Sequence, residues 1–133
     1  MATRTYTLPE ATRVLPEVRG LVAQVVELTA FLPELQDQVR VAEYKRSRPA
    51  AGRDEMDRLE DALASYRSAE LELIKAVRAL EDLGVRLKDA QIGLVDFLAV
   101  RDGEMVELCW KLGEQSIGYW HGIGEGFAGR KPI

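Results

Sequence analysis

The feature that most constrains this chain is a run of apolar residues spaced four and three apart: Val14, Val18, Leu21, Val25, Leu28, Leu32, Leu35, Val39 and Ala42. A 3.5-residue repeat held for about four heptads reads as an α-helix whose seam is buried against other helices. Val22, Val26 and Phe31 widen the stripe, which suits a bundle better than a two-stranded coil. Upstream, Thr7 and Glu10 in "TLPE" have the spacing of a capping box, and Pro9 is tolerated in a first turn. Pro16 is expected to separate a short first helix from the long one, and Pro33 to kink it.

The spacing recurs in Leu59, Leu63, Tyr66, Glu70, Leu73, Val77 and Leu80. Glu70 is a polar interruption of this second seam. Asp54 is the expected N-cap; Asp54, Glu55 and Asp57 put negative charge where the helix dipole favours it. Gly84 suits a C-terminal cap. Between the two patterns, "RSRPAAGR" (46–53) reads as the connection of an antiparallel helical hairpin. A helix of roughly 32 residues is about 48 Å long. A compact domain of this size is only about 36 Å across. The hairpin therefore overhangs the rest, and the expectation is a homodimer through the helical hairpin, closed as a four-helix bundle.

After Gly84 the apolar period changes from helical to alternating. "VRLKD" (85–89), "GLVDFLAV" (93–100), "MVELCWKL" (105–112) and "SIGYWHG" (116–122) read as strands. Asp102-Gly103 supplies a type I′ hairpin turn, so Phe97 should oppose Leu108, Asp96 oppose Cys109, and Val95 oppose Trp110. One face then carries Val95, Phe97, Val106, Leu108, Trp110 and Leu112, and is the core face. The other carries Leu94, Asp96, Leu98, Glu107, Cys109 and Lys111. With a second two-residue turn, Ile117, Tyr119 and His121 join the core face and Trp120 the Asp96–Cys109 face; a three-residue turn inverts this. The fold class is α+β: a long antiparallel helical hairpin (1–83) followed by a small three- to four-stranded antiparallel sheet with a glycine-rich tail (84–133), in one domain.

Chemistry is sparsely signalled. Catalysis by Cys109 with His121, the only histidine, needs thiol and imidazole in hydrogen-bond reach, and the favoured register separates them. Asp96, His121, Glu125 and Cys109 are the available metal ligands, with no His-x-x-x-His or Cys-x-x-Cys spacing, so no metal site and no cofactor is assigned. Gly122, Gly124, Gly126 and Gly129 crowd the end of the chain, but no helix follows to complete a phosphate loop. The alternative is a tail lying close against a neighbour, anchored by Phe127, with Arg130 paired to a carboxylate such as Asp96. Arg40, Lys45, Arg46, Arg48 and Arg53 make a basic hairpin tip, diluted by the acids that follow. A net charge of −4 argues against a nucleic-acid partner. No apolar run approaches the ~20 residues of a membrane span. The opening "MATRTYTLPEATR" lacks a secretory apolar core, and a lone cysteine excludes an intrachain disulfide, so a cytoplasmic setting is expected.

The strings "GLVDFLA", "DGEMVELCWKLGE", "IGYWH" and "GFAGRKPI", with the N-terminal "LPEATRVLPEVRGLV", resemble a bacterial family catalogued as domain of unknown function 2203. Leu98 stands where the family has a proline. The matching residues include Asp96, Cys109, Trp110, Glu114, Trp120, His121, Phe127 and Arg130. The resemblance implies that a shared site lies on the sheet and tail. The candidate ligand-binding residues are Asp96, Trp120, His121, Glu125 and Arg130; no residue is assigned as catalytic. The expected function is a non-enzymatic homodimeric scaffold or interaction module with an unidentified protein partner; the alternative is a small-molecule- or metal-binding protein using the sheet and tail.

Overall fold

A computed structural model describes residues 4–133. Helix α1 (Leu8–Ser47) and helix α2 (Arg53–Asp82) form an antiparallel hairpin. Strands β1 (Val85–Asp89), β2 (Leu94–Arg101), β3 (Glu104–Lys111), β4 (Tyr119–Gly122) and β5 (Lys131–Pro132) follow as an antiparallel meander in the order β1-β2-β3-β4-β5. The sheet thus has five strands where three or four were expected, because part of the glycine-rich tail pairs with β4.

The Thr7–Glu10 capping box forms in full. α1 is unbroken, so Pro16 does not separate two helices, and the helix runs through Pro33 as well. A proline inside a helix costs about 3 kcal/mol. Around Pro16 that cost is outweighed by the burial of Leu15, Val18, Val22 and Val25, each 4% exposed or less, and each contributing about 1.5–3 kcal/mol. α2 is capped by Gly52 rather than Asp54; the Gly52 N–H donates to the Glu55 carboxylate, which satisfies an end donor two residues earlier. Gly84 takes a φ of 77° just past the helix, where a side chain would be strained. Glu70 faces solvent.

Asp102 and Gly103 both adopt positive φ, 52° and 80°, as a type I′ turn requires. This sets the β2–β3 register as expected: Asp96 opposite Cys109, Phe97 opposite Leu108, Val95 opposite Trp110. Val95, Phe97, Val106, Leu108 and Trp110 join Val18, Val22, Ala76 and Leu80 in one core between sheet and helices. The N-terminal segment closes its edge: the Tyr6 N–H donates to the Leu98 carbonyl, its hydroxyl donates to the Leu83 carbonyl, and its ring meets Phe97 edge-on at 5.3 Å.

The β3–β4 connection departs from expectation. Seven residues, 112–118, separate the strands, not two. Glu114 explains the length. It folds back so that its backbone carbonyl accepts from Trp110 Nε1 (3.0 Å) and its carboxylate accepts from the Lys111 N–H (2.7 Å), and Gly113 supplies a φ of 103°. The longer loop inverts the parity of β4. His121 now opposes Glu107 and Tyr119 opposes Cys109, on the outer face, while Trp120 opposes Leu108 and packs against the core. Ile117 is buried, but from the loop.

The sheet covers α1 as far as Val26, where Gly93 lies against Val22 and Val26. From Ala11 to Val25, Ala11, Leu15, Val18, Val22 and Val25 are 0–4% exposed, with Val14 and Leu21 half-buried beside them. Beyond them burial thins: Leu28 and Leu32 are half-buried, Leu35, Val39 and Ala42 are 6–9% exposed, and the outer part of α2 buries Ala69 alone before Ala76.

Candidate functional site

The outer face of the sheet holds a buried polar cluster. Asp96 on β2, Glu107 and Cys109 on β3, and His121 on β4 are each 2% exposed or less. The strand pleat puts them together: residues directly opposite share a face, as Asp96 does with Cys109 and Glu107 with His121. The tail lies across the same side. The Arg130 guanidinium stacks over Tyr119 at 4.0 Å and over Phe127 at 4.7 Å, and Lys111 lies 5.6 Å from the Phe127 ring. A bulge at Lys88, between Leu87 and Asp89, brings its ammonium to 3.8 Å from Asp96 Oδ2.

Within the cluster the hydrogen bonds determine which atoms are free. His121 Nδ1 is 2.9 Å from the Gly122 carbonyl, which only accepts, so Nδ1 carries the proton. Nε2 is then turned inward, 3.0 Å from Asp96 Oδ1. Glu107 Oε2 is buried with no hydrogen-bond partner. Asp96, Cys109 and His121 each offer one ligand atom, all within 4.8 Å of one another.

The electrostatics follow from burial and crowding. Burial, then the Asp96 charge, raises the Glu107 carboxyl above its ordinary range. Burial, then Asp96, pushes the Cys109 thiol up to about 12. For His121, burial favours the neutral ring, but the Gly122 carbonyl, Asp96 and Glu107 together outweigh it and raise the imidazole. Cys109 and His121 do share a face, contrary to the favoured register. Even so, the thiol is held protonated, and Nε2 is engaged by Asp96. That is the opposite of an activated nucleophile.

The family described as "Uncharacterized conserved protein (DUF2203)" matches residues 4–133, nearly the whole length. The chain belongs to that family. No curated protein and no solved structure matches it.

Of the sequence candidates, this DUF2203 member brings Asp96 and His121 together and places the other three elsewhere. Trp120 is on the core side, its ring flanked by Arg101 and Lys131, each at 4.7 Å. Glu125 is exposed and pairs with Lys131 at 3.0 Å. Arg130 pairs with Glu114 through two contacts of 2.8 Å, not with Asp96, because the long β3–β4 loop carries Glu114 up to the tail. Glu107 was assigned to the Asp96 face by register but given no role. Glu107 alternates outward between Val106 and Leu108, where an acid is ordinary, so the strand pattern carried no signal of its burial.

The DUF2203 chain has a second distinctive surface, on the arm beyond Val26. A groove of about 660 Å³ runs between the helices, walled by Leu28, Phe31 and Leu35 of α1 and floored by Ala64, Ser65, Ser68 and Ala69 of α2. Phe31, Val41, Tyr44, Leu71 and Ile74 are exposed along the arm.

Proposed function

We propose that this protein is a non-enzymatic homodimeric interaction module of the bacterial cytoplasm, assembled through the outer half of its helical hairpin. The carrying observation is the row of exposed apolar side chains on the outer arm, Phe31, Val41, Tyr44, Leu71 and Ile74, beside a seam in which Leu28 and Leu32 are half-buried while Leu35, Val39 and Ala42 are already covered by the hairpin. A helix pair buries only its facing stripes, and these stripes are wider than one seam. A second copy can seat on the groove between the helices. Phe31, a large apolar knob 46% exposed, borders a floor of alanines and serines into which a knob can pack. A twofold axis through such a patch gives a closed four-helix assembly. Each arm of about 20 residues is roughly 30 Å long, enough for several knob layers. A single free, buried cysteine agrees with a reducing compartment, and among the described residues no helix is long and apolar enough to cross a membrane.

Sedimentation at micromolar concentration should give twice the chain mass for the wild type and a monomer for Phe31→Glu and for Ser68→Arg, with unchanged helical circular dichroism. A monomeric wild type at that concentration ends this reading. One observation favours a second activity beside it: Asp96, Cys109 and His121 are buried with their ligand atoms within 4.8 Å of one another, and Glu107 is buried on the same face, an arrangement that a scaffold does not require.

A further inference from the structure

We propose that Asp96, Glu107, Cys109 and His121 form a structural site for one zinc-class divalent ion per chain. The inference rests on the sheet carrying a ligand site and is independent of how the hairpin assembles. A tetrahedral zinc with bonds of about 2.0–2.3 Å holds its ligand atoms about 3.3–3.8 Å apart. The carboxylate, thiol and imidazole atoms of Asp96, Cys109 and His121 already lie within 4.8 Å of one another. Closing these three around an ion takes shifts of about an ångström, plus a slight widening of the 3.0 Å His121–Asp96 contact; Glu107, on the same face opposite His121, has to swing in as the fourth ligand.

The surroundings have the features that such a site needs. The Gly122 carbonyl holds the Nδ1 proton and so aims Nε2 into the cluster, where an ion would displace the proton shared with Asp96; metal-bound histidines are oriented in this way by an outer hydrogen bond. Glu107 Oε2 is a buried acceptor with nothing to accept from. Native interiors rarely tolerate that, and a fourth ligand position accounts for it. Charge also balances. On binding, the ion displaces the Cys109 proton to solvent; Asp96, Glu107 and the thiolate then face a dication, with the exposed Lys88 ammonium 3.8 Å from Asp96 offsetting the remaining charge.

The donor set selects the ion. A thiolate and an imidazole are poor ligands for magnesium or calcium and good ones for zinc and its neighbours. All four ligands come from adjacent strands of one sheet and are buried, so no coordination position remains for a substrate, and the ion is structural rather than hydrolytic. Sequence spacing conceals the site, because its ligands meet across strands rather than along one segment.

The test uses the full chain, stripped with chelator and titrated with Zn²⁺ against a competing chromophoric chelator, and with Co²⁺ as a spectroscopic substitute. The expected result is one equivalent bound, a thiolate-to-cobalt charge-transfer band, and a Tm raised by about 5–10 °C at a hundredfold excess over Kd. Cys109→Ser should abolish the band, and Glu107→Gln should weaken Zn²⁺ binding at least about tenfold. Both are near-isosteric, and the wild-type titration needs neither variant to fold. Less than 0.2 equivalents (roughly, the floor of the assay) of Zn²⁺ bound at micromolar concentration overturns the assignment, as does a band surviving in Cys109→Ser. If zinc fails but an organic metabolite raises Tm, the sheet still carries a ligand site and only the metal is wrong. If neither binds, both readings fall.

Discussion

Arg130→Ala is the most informative single change to the tail. The Arg130 side chain is 11% exposed and Glu114 22%, and the two meet through a pair of contacts of 2.8 Å. The same guanidinium stacks on Tyr119 and Phe127. It therefore ties the tail to both β4 and the β3–β4 loop. A charge-assisted, largely buried contact of this kind is worth about 1.5–3 kcal/mol, and each cation–π contact about 0.5–1 kcal/mol. Truncation leaves Glu114 partly solvated and still accepting from the Lys111 N–H, so part of the loss is recovered. A net cost of about 2–3 kcal/mol results. With an unfolding entropy near 2.1 cal/mol/K per residue, each kcal/mol lowers Tm by about 3–4 °C in a chain of this size. Differential scanning calorimetry should show Tm lower by about 6–12 °C. Arg130→Lys should fall between, since an ammonium keeps the charge but cannot stack a guanidinium plane on Tyr119 and Phe127. A double-mutant cycle with Glu114→Ala should return a coupling of at least about 1 kcal/mol. A change in Tm below about 2 °C, or no coupling in the cycle, would refute the view that this residue fastens the tail.

Three further outcomes follow from the core and the cluster. Gly93→Ala should cost about 2–4 kcal/mol in urea unfolding, because φ is 73° and a Cβ would lie 2.7 Å from Leu112 Cβ and 2.8 Å from Val22 Cγ1. A neutral result would mean the sheet and α1 are less closely packed there. Tyr6→Phe removes the donor to the Leu83 carbonyl and should lower the urea midpoint by the equivalent of about 1–2 kcal/mol with an unchanged m-value. Burial raises the Tyr6 hydroxyl above 10, so the unfolded chain loses that proton first; the deficit of Tyr6→Phe relative to wild type should hold at neutral pH and shrink as pH climbs past 10. Iodoacetamide at pH 8 should label Cys109 in chelator-treated native protein at least about a hundredfold more slowly than in urea, since burial and Asp96 hold the thiol near 12. Comparable rates would show that the thiol is neither buried nor suppressed.

Much of the fold was legible because its signals are local. The Thr7–Glu10 box, the helical periods, the loop between them and the Gly84 stop involve residues within a turn or two of each other. Asp102-Gly103 leaves one two-residue turn available, and so the whole β2–β3 register, Asp96 opposite Cys109 included, could be counted from it. Three of the four cluster residues, Asp96, Glu107 and Cys109, were therefore placed on one face on paper. The helix seam was equally plain, but not how far the sheet would shelter it; that depends on where Gly93 meets Val22 and Val26.

Residue type and spacing alone determined the α+β division, the hairpin and the inward face of the first two long strands. Only the tertiary structure decided where His121 points and what Arg130 holds. A strand side chain's face is a matter of odd or even count, and that count depends on the length of the loop before it. Here the length is set by Glu114 folding back onto Trp110 and Lys111 and reaching across to Arg130. Those bonds join residues up to sixteen positions apart, and no periodicity within a strand encodes them.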